Sequence, residues 1–301
     1  MGYSGGLPYQ RAGHSGIQVG EISRAKREKI SGAAVCITVT GEEKMNQTER
    51  RQYLIRRLLS EQTRYRDIEM PDDTQGQRRL LRSLFNVRMP EEIGEDFLQV
   101  QDEYLTEATN EKGITDLSEL EAVEDGIYIW QGDITTLRCD AIVNAANAGM
   151  TGCYVPCHGC IDNCIHTYAG IQLRNACAEL MQRQGYEEPT GRAKITPGFN
   201  LPCKYVLHTV GPIITGKLTE EDEELLASCY QSCLELAEEN DVKSIAFCCI
   251  STGEFHFPNR RAAEIAVQAV REYRRENNSE IEVIFNVWKD IDDEIYRDLL
   301  G

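Results

Sequence analysis

Five potential metal ligands fall between positions 153 and 164: Cys153, Cys157, His158, Cys160 and Cys164. An amide pair, Asn144 and Asn147, precedes them, and Asp162 and His166 follow at i, i+4 spacing. Zinc takes thiolate and imidazole ligands, and a catalytic zinc site keeps three protein ligands and one open position. In an extended loop, residues i and i+2 share a side while their neighbours point away. His158 and Cys160 can therefore face one ion, with Cys157 turned away from it. Cys153 can return across the turn at Tyr154-Val155-Pro156. The expected ligand set is Cys153, His158 and Cys160, with Zn2+ as cofactor. A fourth ligand from Cys157 or Cys164 would close the site and weaken the catalytic reading. Asp162 and His166 suit one face of a helix, and Asp162 also suits an N-cap. The free N–H groups of that helix start would form an anion site beside the metal.

Two other loops carry polar groups with a ligand role in view. Ser251, Thr252, Gly253 and Glu254 follow an apolar run and precede a helical one, so their backbone N–H groups can meet a phosphate. Phe255 or Phe257 can cover a ribose or base. Asp133, on the loop after the strand-like run at 127–130, can accept a hydrogen bond from an exocyclic amine.

These loops need a frame. Short apolar strands are predicted at 127–130, 141–143, 205–209, 244–250 and 281–287. Helices are predicted at 162–183, 221–240, 259–274 and 290–300, the first presenting Ile165, Ala169, Leu173, Ala176 and Leu180 on one face. Alternating strands and helices, with strands apolar throughout, predict a three-layer α/β domain around a mixed, largely parallel sheet. Ligands in such sheets bind at the carboxyl ends of strands, which selects the loops after Trp130, Val143 and Ile250.

Upstream, Leu54/Ile55/Leu58/Leu59, Leu80/Leu81/Leu84/Phe85 and Ile93/Phe97/Val100/Tyr104/Leu105 mark three amphipathic helices. They predict a small all-helical domain at 45–115, read as a structural cap, ahead of the α/β domain at 121–301. Residues 1–44 read as a disordered or loosely attached leader, with a strand-like run at 33–40 and a natural start expected at Met45.

The net charge of −17 argues against a duplex nucleic-acid partner. No apolar run reaches the roughly 18 residues of a membrane span, and the first residues lack a signal-peptide core. Twelve cysteines without such a peptide point to a reducing, cytoplasmic setting in which most thiols are small buried hydrophobes.

The segments QGDIT at 131–135, AIVNAAN at 141–147, CIDNCIHTYAG at 160–170, HTVGP at 208–212 and ISTGEFHFP at 250–258 together resemble the macrodomain family. GCYVPCHGC stands where hydrolytic macrodomains have a glycine-rich run. With the helical segment, this resembles the microbial zinc-dependent branch, whose ligand pattern matches Cys153, His158 and Cys160. The resemblance implies a hydrolase releasing ADP-ribose from Asp/Glu side chains of a modified protein, sometimes linked to a sirtuin-type ADP-ribosyltransferase. It implies that Asp133 and Ile134 meet the adenine and that Asn147 orients the distal ribose, with Asn147 and Asp162 the catalytic pair. It further implies that Cys153, Ile161, Asp162 and Asn163 line the ligand, and that Ser251, Thr252, Gly253, Glu254 and Phe257 form the phosphate and ribose loop. The competing expectations are a reader that binds ADP-ribose without cleaving it, and an enzyme of free O-acyl-ADP-ribose with structural zinc.

Overall fold

Three helices open the described part of the chain, residues 45–301 of a computed structural model. Residues 1–44, with the strand-like run at 33–40, lie outside it. Helix α1 (Gln47–Glu61) starts at Asn46, whose side chain accepts from Thr48 and Glu49 N–H while Glu49 returns the bond. Helix α2 (Thr74–Val87) starts at Asp73, and α3 (Glu95–Lys112) carries acidic residues in its first turn. Leu54, Ile55, Leu58, Leu81, Leu84, Phe85, Phe97 and Leu105 form their shared core, joined by Ile171 from the next part of the chain. The helices and the sheet that follows belong to one compact unit.

Next come β1 (Thr115–Asp116), β2 (Ala122–Glu124), β3 (Ile127–Gln131), β4 (Leu137–Arg138) and β5 (Ala141–Ala145). Helices α4 (Ile161–Ala169) and α5 (Ile171–Gln184) lead to β6 (Ala193–Pro197) and β7 (Tyr205–Thr209). The chain ends with α6 (Glu220–Glu239), β8 (Ser244–Phe247), α7 (Asn259–Asn277), β9 (Glu282–Val287) and α8 (Asp290–Leu300). The main sheet runs β2-β3-β9-β8-β5-β7-β6, and β1 pairs with β4 outside it. The inner pairings are parallel, and the two edge pairings, β2–β3 and β6–β7, are antiparallel. Every residue of β8, and all but one of β5, β7 and β9, is buried, so both sheet faces are covered by helices. The expected three-layer architecture is present.

Two expectations need correction. The single helix at 162–183 is two, broken at Gly170, which has φ +93°. A Cβ there would stand 2.7 Å from both Gln101 Nε2 and Gln172 Oε1, so close side chains as well as the dihedral call for glycine. The antiparallel edge strand β6 went unpredicted, because AKITP is half-buried and carries Lys194 and Pro197. Among the described residues no helix is long and apolar enough to cross a membrane.

Candidate functional site

The parallel strands end at one cavity of about 550 Å³. Gly132, Asp133 and Ile134 after β3 line it, as do Ala145 to Asn147 after β5 and Ser251 to Phe255 after β8. A fourth contributor, the loop after β9, brings Trp288 and Lys289, with Asn286 from the strand end. Trp288 is 71% exposed, an unusual position for a large ring. The apolar pattern of β9 pointed to this end of the chain, but no polar cluster marked its loop.

At one end of the cavity the expected ligand set converges. The donor atoms of Cys153, His158 and Cys160 lie within 4.8 Å of one another. Cys153 Sγ stands 3.7 Å from His158 Nδ1. Zinc bonds of usual length meeting near the tetrahedral angle put sulfur and nitrogen about 3.6 Å apart, so the donors fit that ion. His158 turns its other nitrogen, Nε2, toward Glu254 Oε1 at 3.6 Å, an imidazole–carboxylate arrangement common behind metal-binding histidines. Burial pushes the Cys160 thiol up to about 12, opposed by the Asn163 N–H and reinforced by the Cys153 thiol. A bound cation would favour the thiolate there.

Cys157 and Cys164 stand outside this group. Cys157 has φ +54°, its Sγ lies 3.2 Å from Ser83 Oγ, and its N–H donates to Asn86 Oδ1 at 2.9 Å. Cys164 Sγ lies 3.5 Å from an Arg82 nitrogen.

Helix α4 starts at the loop that carries these three donors. Its N-cap is Cys160, whose Sγ accepts from Asn163 N at 3.5 Å; Asp162 is not the cap. Asp162 instead takes the two amides: Asn144 Nδ2 at 2.8 Å and Asn147 Nδ2 at 3.3 Å. Burial raises its carboxyl to about 6 against those two donors. His166, one turn on, has Nε2 3.5 Å from Asp162 Oδ1, yet neither ring nitrogen has a hydrogen bond. Burial, aided by His208 and Arg174, drives its pKa well down, so the contact is not an ion pair. Its ring lies under Gly152, at φ +85°, where a Cβ would come within 2.8 Å of it.

A second thiol–imidazole group, His166, Cys177 and His208, also brings its donor atoms within 4.8 Å of one another. Its members are buried, and His208 has no lone pair left. Asn144 Nδ2 can only donate to Nδ1, at 3.2 Å, which puts the proton on Nε2, 2.9 Å from Thr196 Oγ1. This group joins α4, α5 and β7, and His208 adds β5 and β6 through Asn144 and Thr196; it is not a ligand set.

The remaining expected residues divide. Asp133 accepts from Lys112 Nζ at 2.8 Å and from Thr135 N–H and O–H at 3.0 and 2.6 Å. Burial acts to raise its carboxyl, but these bonds prevail and hold it below the usual range. Ile134, Asn147, Cys153, Ile161, Asp162, Ser251, Thr252, Gly253 and Glu254 line the cavity. Phe257 does not: it is buried in the core, and Phe255 takes the cavity wall. Asn163 is fully buried and gives its side chain to the loop, donating to Cys153 O at 3.4 Å and Val155 O at 3.0 Å. Among the described residues the N–H groups of Ile161, Asp162, Gly253 and Glu254 have no hydrogen-bonded acceptor. They suit an anion. Ser251 supports that turn at φ +64°, its buried Oγ unpartnered.

Residues 143–266 match the Macro domain model. A protein-ADP-ribose hydrolase of Treponema medium is 59% identical over 261 residues, spanning 85% of this chain and 100% of that protein. A protein-ADP-ribose hydrolase of Staphylococcus aureus (strain MSSA476) is 47% identical over 251 residues, 83% of this chain and 94% of that one. Among solved structures, a Trypanosoma brucei macrodomain in complex with ADP-ribose superposes with a TM-score of 0.57 at 28% identity. That superposition covers 73% of this chain and 95% of the other.

Proposed function

Because the chain belongs to the macrodomain family and its cleft ends at a group of two thiols and an imidazole, we propose that it is a zinc-dependent hydrolase releasing ADP-ribose from modified protein side chains. The bond cleaved is the ester of mono-ADP-ribose on Asp or Glu, and the transferase whose product it reverses is of the sirtuin type. The observation that carries this reading is placement: Cys153, His158 and Cys160 line the same cavity as Asn147 and Asp162. Three ligands leave an open position, as reactive zinc sites do. Relatives named protein-ADP-ribose hydrolase at 59% and 47% identity support its hydrolytic part.

The protein's own groups suit each part of such a substrate. Asp133, already gripped by Lys112 and Thr135, keeps free lone pairs for the adenine amine, and the exposed Trp288 ring offers the purine an apolar face. The unpaired N–H groups at the start of α4 and at Gly253–Glu254 receive the diphosphate. Asn147 is held by Gly152 O at 3.2 Å and by Asp162, which sets its amide against the distal ribose. A zinc ion at Cys153, His158 and Cys160 supplies Lewis acidity at that end.

Incubation with an Asp/Glu-ADP-ribosylated protein tests the reading. Free ADP-ribose should appear with catalytic enzyme and stop with a chelator. A modification that persists at stoichiometric enzyme would leave only a reader. Equal release from metal-stripped protein would remove zinc from the reading and leave the hydrolase.

A further inference from the structure

We infer that α2 of the helical segment is part of the metal centre, with Arg82 the positioning residue that fixes the ligand loop; this rests on the zinc reading above. Arg79, Arg82, Ser83 and Asn86 occupy i, i+3, i+4 and i+7, one face of α2; the last three meet the segment 153–164 through their side chains and Arg79 through its backbone carbonyl. The apolar face of the same helix, with Leu81, Leu84 and Phe85, is buried in the helical core. The face toward the loop is therefore polar by sequence and rigidly held by packing.

One guanidinium reaches all three ligand residues in at most two steps. An Arg82 terminal nitrogen donates to the His158 carbonyl at 2.7 Å and to Asn163 Oδ1 at 2.8 Å, and Nε adds a longer bond to Asn163 Oδ1 at 3.3 Å. Asn163 then donates from its side chain to Cys153 O and from its backbone to Cys160 Sγ. Arg82 thus holds His158 directly and Cys153 through one buried side-chain amide whose orientation it sets, while Cys160 is met by the backbone N–H of the same residue. A charged donor makes such bonds shorter and stronger than neutral ones. Next to it, Asn86 accepts the Cys157 N–H and donates to Thr167 Oγ1 at 2.9 Å, pinning the left-handed turn just before His158. Arg174 locks the other side: it donates to the carbonyls of Phe85, Asn86 and Arg88 at the end of α2 and stacks on Tyr154 at 4.3 Å. The loop has no regular secondary structure of its own. Its shape comes from α2, α4 and α5.

Outer contacts of this kind tune metal affinity by about 10- to 100-fold. Cobalt(II) serves as the probe, because its visible spectrum reports ligand geometry, and zinc affinity follows by competition with a chromogenic chelator. Arg82→Met should weaken zinc binding about 10- to 100-fold and alter the cobalt spectrum. Arg82→Lys, which keeps charge but not the fork, should fall between it and the parent protein. Arg78→Met, on the same helix but paired only with exposed Glu111, should leave both readouts unchanged. Wild-type affinity and spectrum in Arg82→Met would overturn the inference while leaving the zinc reading intact. If Arg82→Met does not fold, wild-type affinity in Arg82→Lys overturns it equally. A parent protein that binds neither metal sinks the zinc reading itself, and the positioning role with it.

Discussion

Two thiol–imidazole groups lie among the described residues, and by donor distance alone they are equivalent: in each, three donor atoms fall within 4.8 Å of one another. Exposure and hydrogen bonding separate them. Cys153, His158 and Cys160 are half-buried at a cavity wall, with His158 Nδ1 facing a thiol and Nε2 facing a carboxylate. His166, Cys177 and His208 are buried between helices and sheet, and His208 has both nitrogens engaged by Asn144 and Thr196. Burial raises the Cys177 thiol to about 12 and depresses both histidines, keeping all three neutral. Closeness of donors is not a ligand set. A cation also needs free lone pairs, a route in, and neighbours that stabilise the ionised ligands.

The sharpest way to break this contrast is to count zinc and remove one ligand. The purified protein should carry one zinc per chain, not two. Cys160→Ala should lower zinc to a trace and hydrolysis by at least about 100-fold, as should a chelator, with zinc restoring only the parent protein. Full occupancy in Cys160→Ala, measured by elemental analysis, would move the metal elsewhere.

A smaller effect distinguishes the buried group through pH. Burial alone drives His208 from 6.5 to about 3. A depressed folded pKa means that the unfolded chain takes up its proton first as pH falls. The stabilisation is complete above about pH 6.5 and is lost progressively as pH drops toward 3. At 1.36 kcal/mol per unit, His208 should cost about 2 kcal/mol between pH 7 and 5. Asp162, raised to about 6, acts in the opposite sense, since its contribution is lost as pH rises through that value. Comparing denaturant unfolding of the parent with His208→Gln cancels it: the variant should show the shallower acid slope. Identical slopes would mean that His208 titrates normally. Smaller again, Cys177→Ala should cost about 1 kcal/mol of stability through a small cavity, and should leave zinc content unchanged. Loss of zinc in that variant would make the two groups one linked system.

The frame was legible because its signals are local. β5, β7, β8 and β9 are apolar at nearly every position, and a parallel sheet buried on both faces demands such runs. The grouping of Cys153, His158 and Cys160 was legible because side-chain alternation separates Cys157 from His158 and Cys160. What escaped depends on distant contacts. Gly170 breaks a periodic helix because Gln101 and Asn200 crowd it from other elements. Asn163 sits beside cavity-lining Asp162, yet Arg82, far away in sequence, turns its amide into the loop. Phe255 and Phe257 are two apart, and only the turn at Ser251 and His256, both left-handed, decides which one faces the cavity. The helical segment read as an inert cap because no single residue in it looks chemical; its arginines matter through what they hold.

The smallest expected effect bears on whether the partly exposed group is open or closed. Cys157 adjoins His158 and offers the same kind of donor as Cys160. In the structure its thiol meets Ser83 Oγ and Arg79 O, and its left-handed backbone is held by Asn86. Cys157→Ser keeps the hydrogen-bonding role at nearly the same size, while removing any thiolate a metal could take. Zinc affinity and turnover should therefore stay within about 2-fold of the parent, and the cobalt spectrum should keep the same thiolate bands. If the variant instead loses a thiolate band and binds zinc more weakly, Cys157 is a fourth ligand. The site is then closed like a structural zinc, and the contrast between the two groups is no longer one of reactivity but only of occupancy.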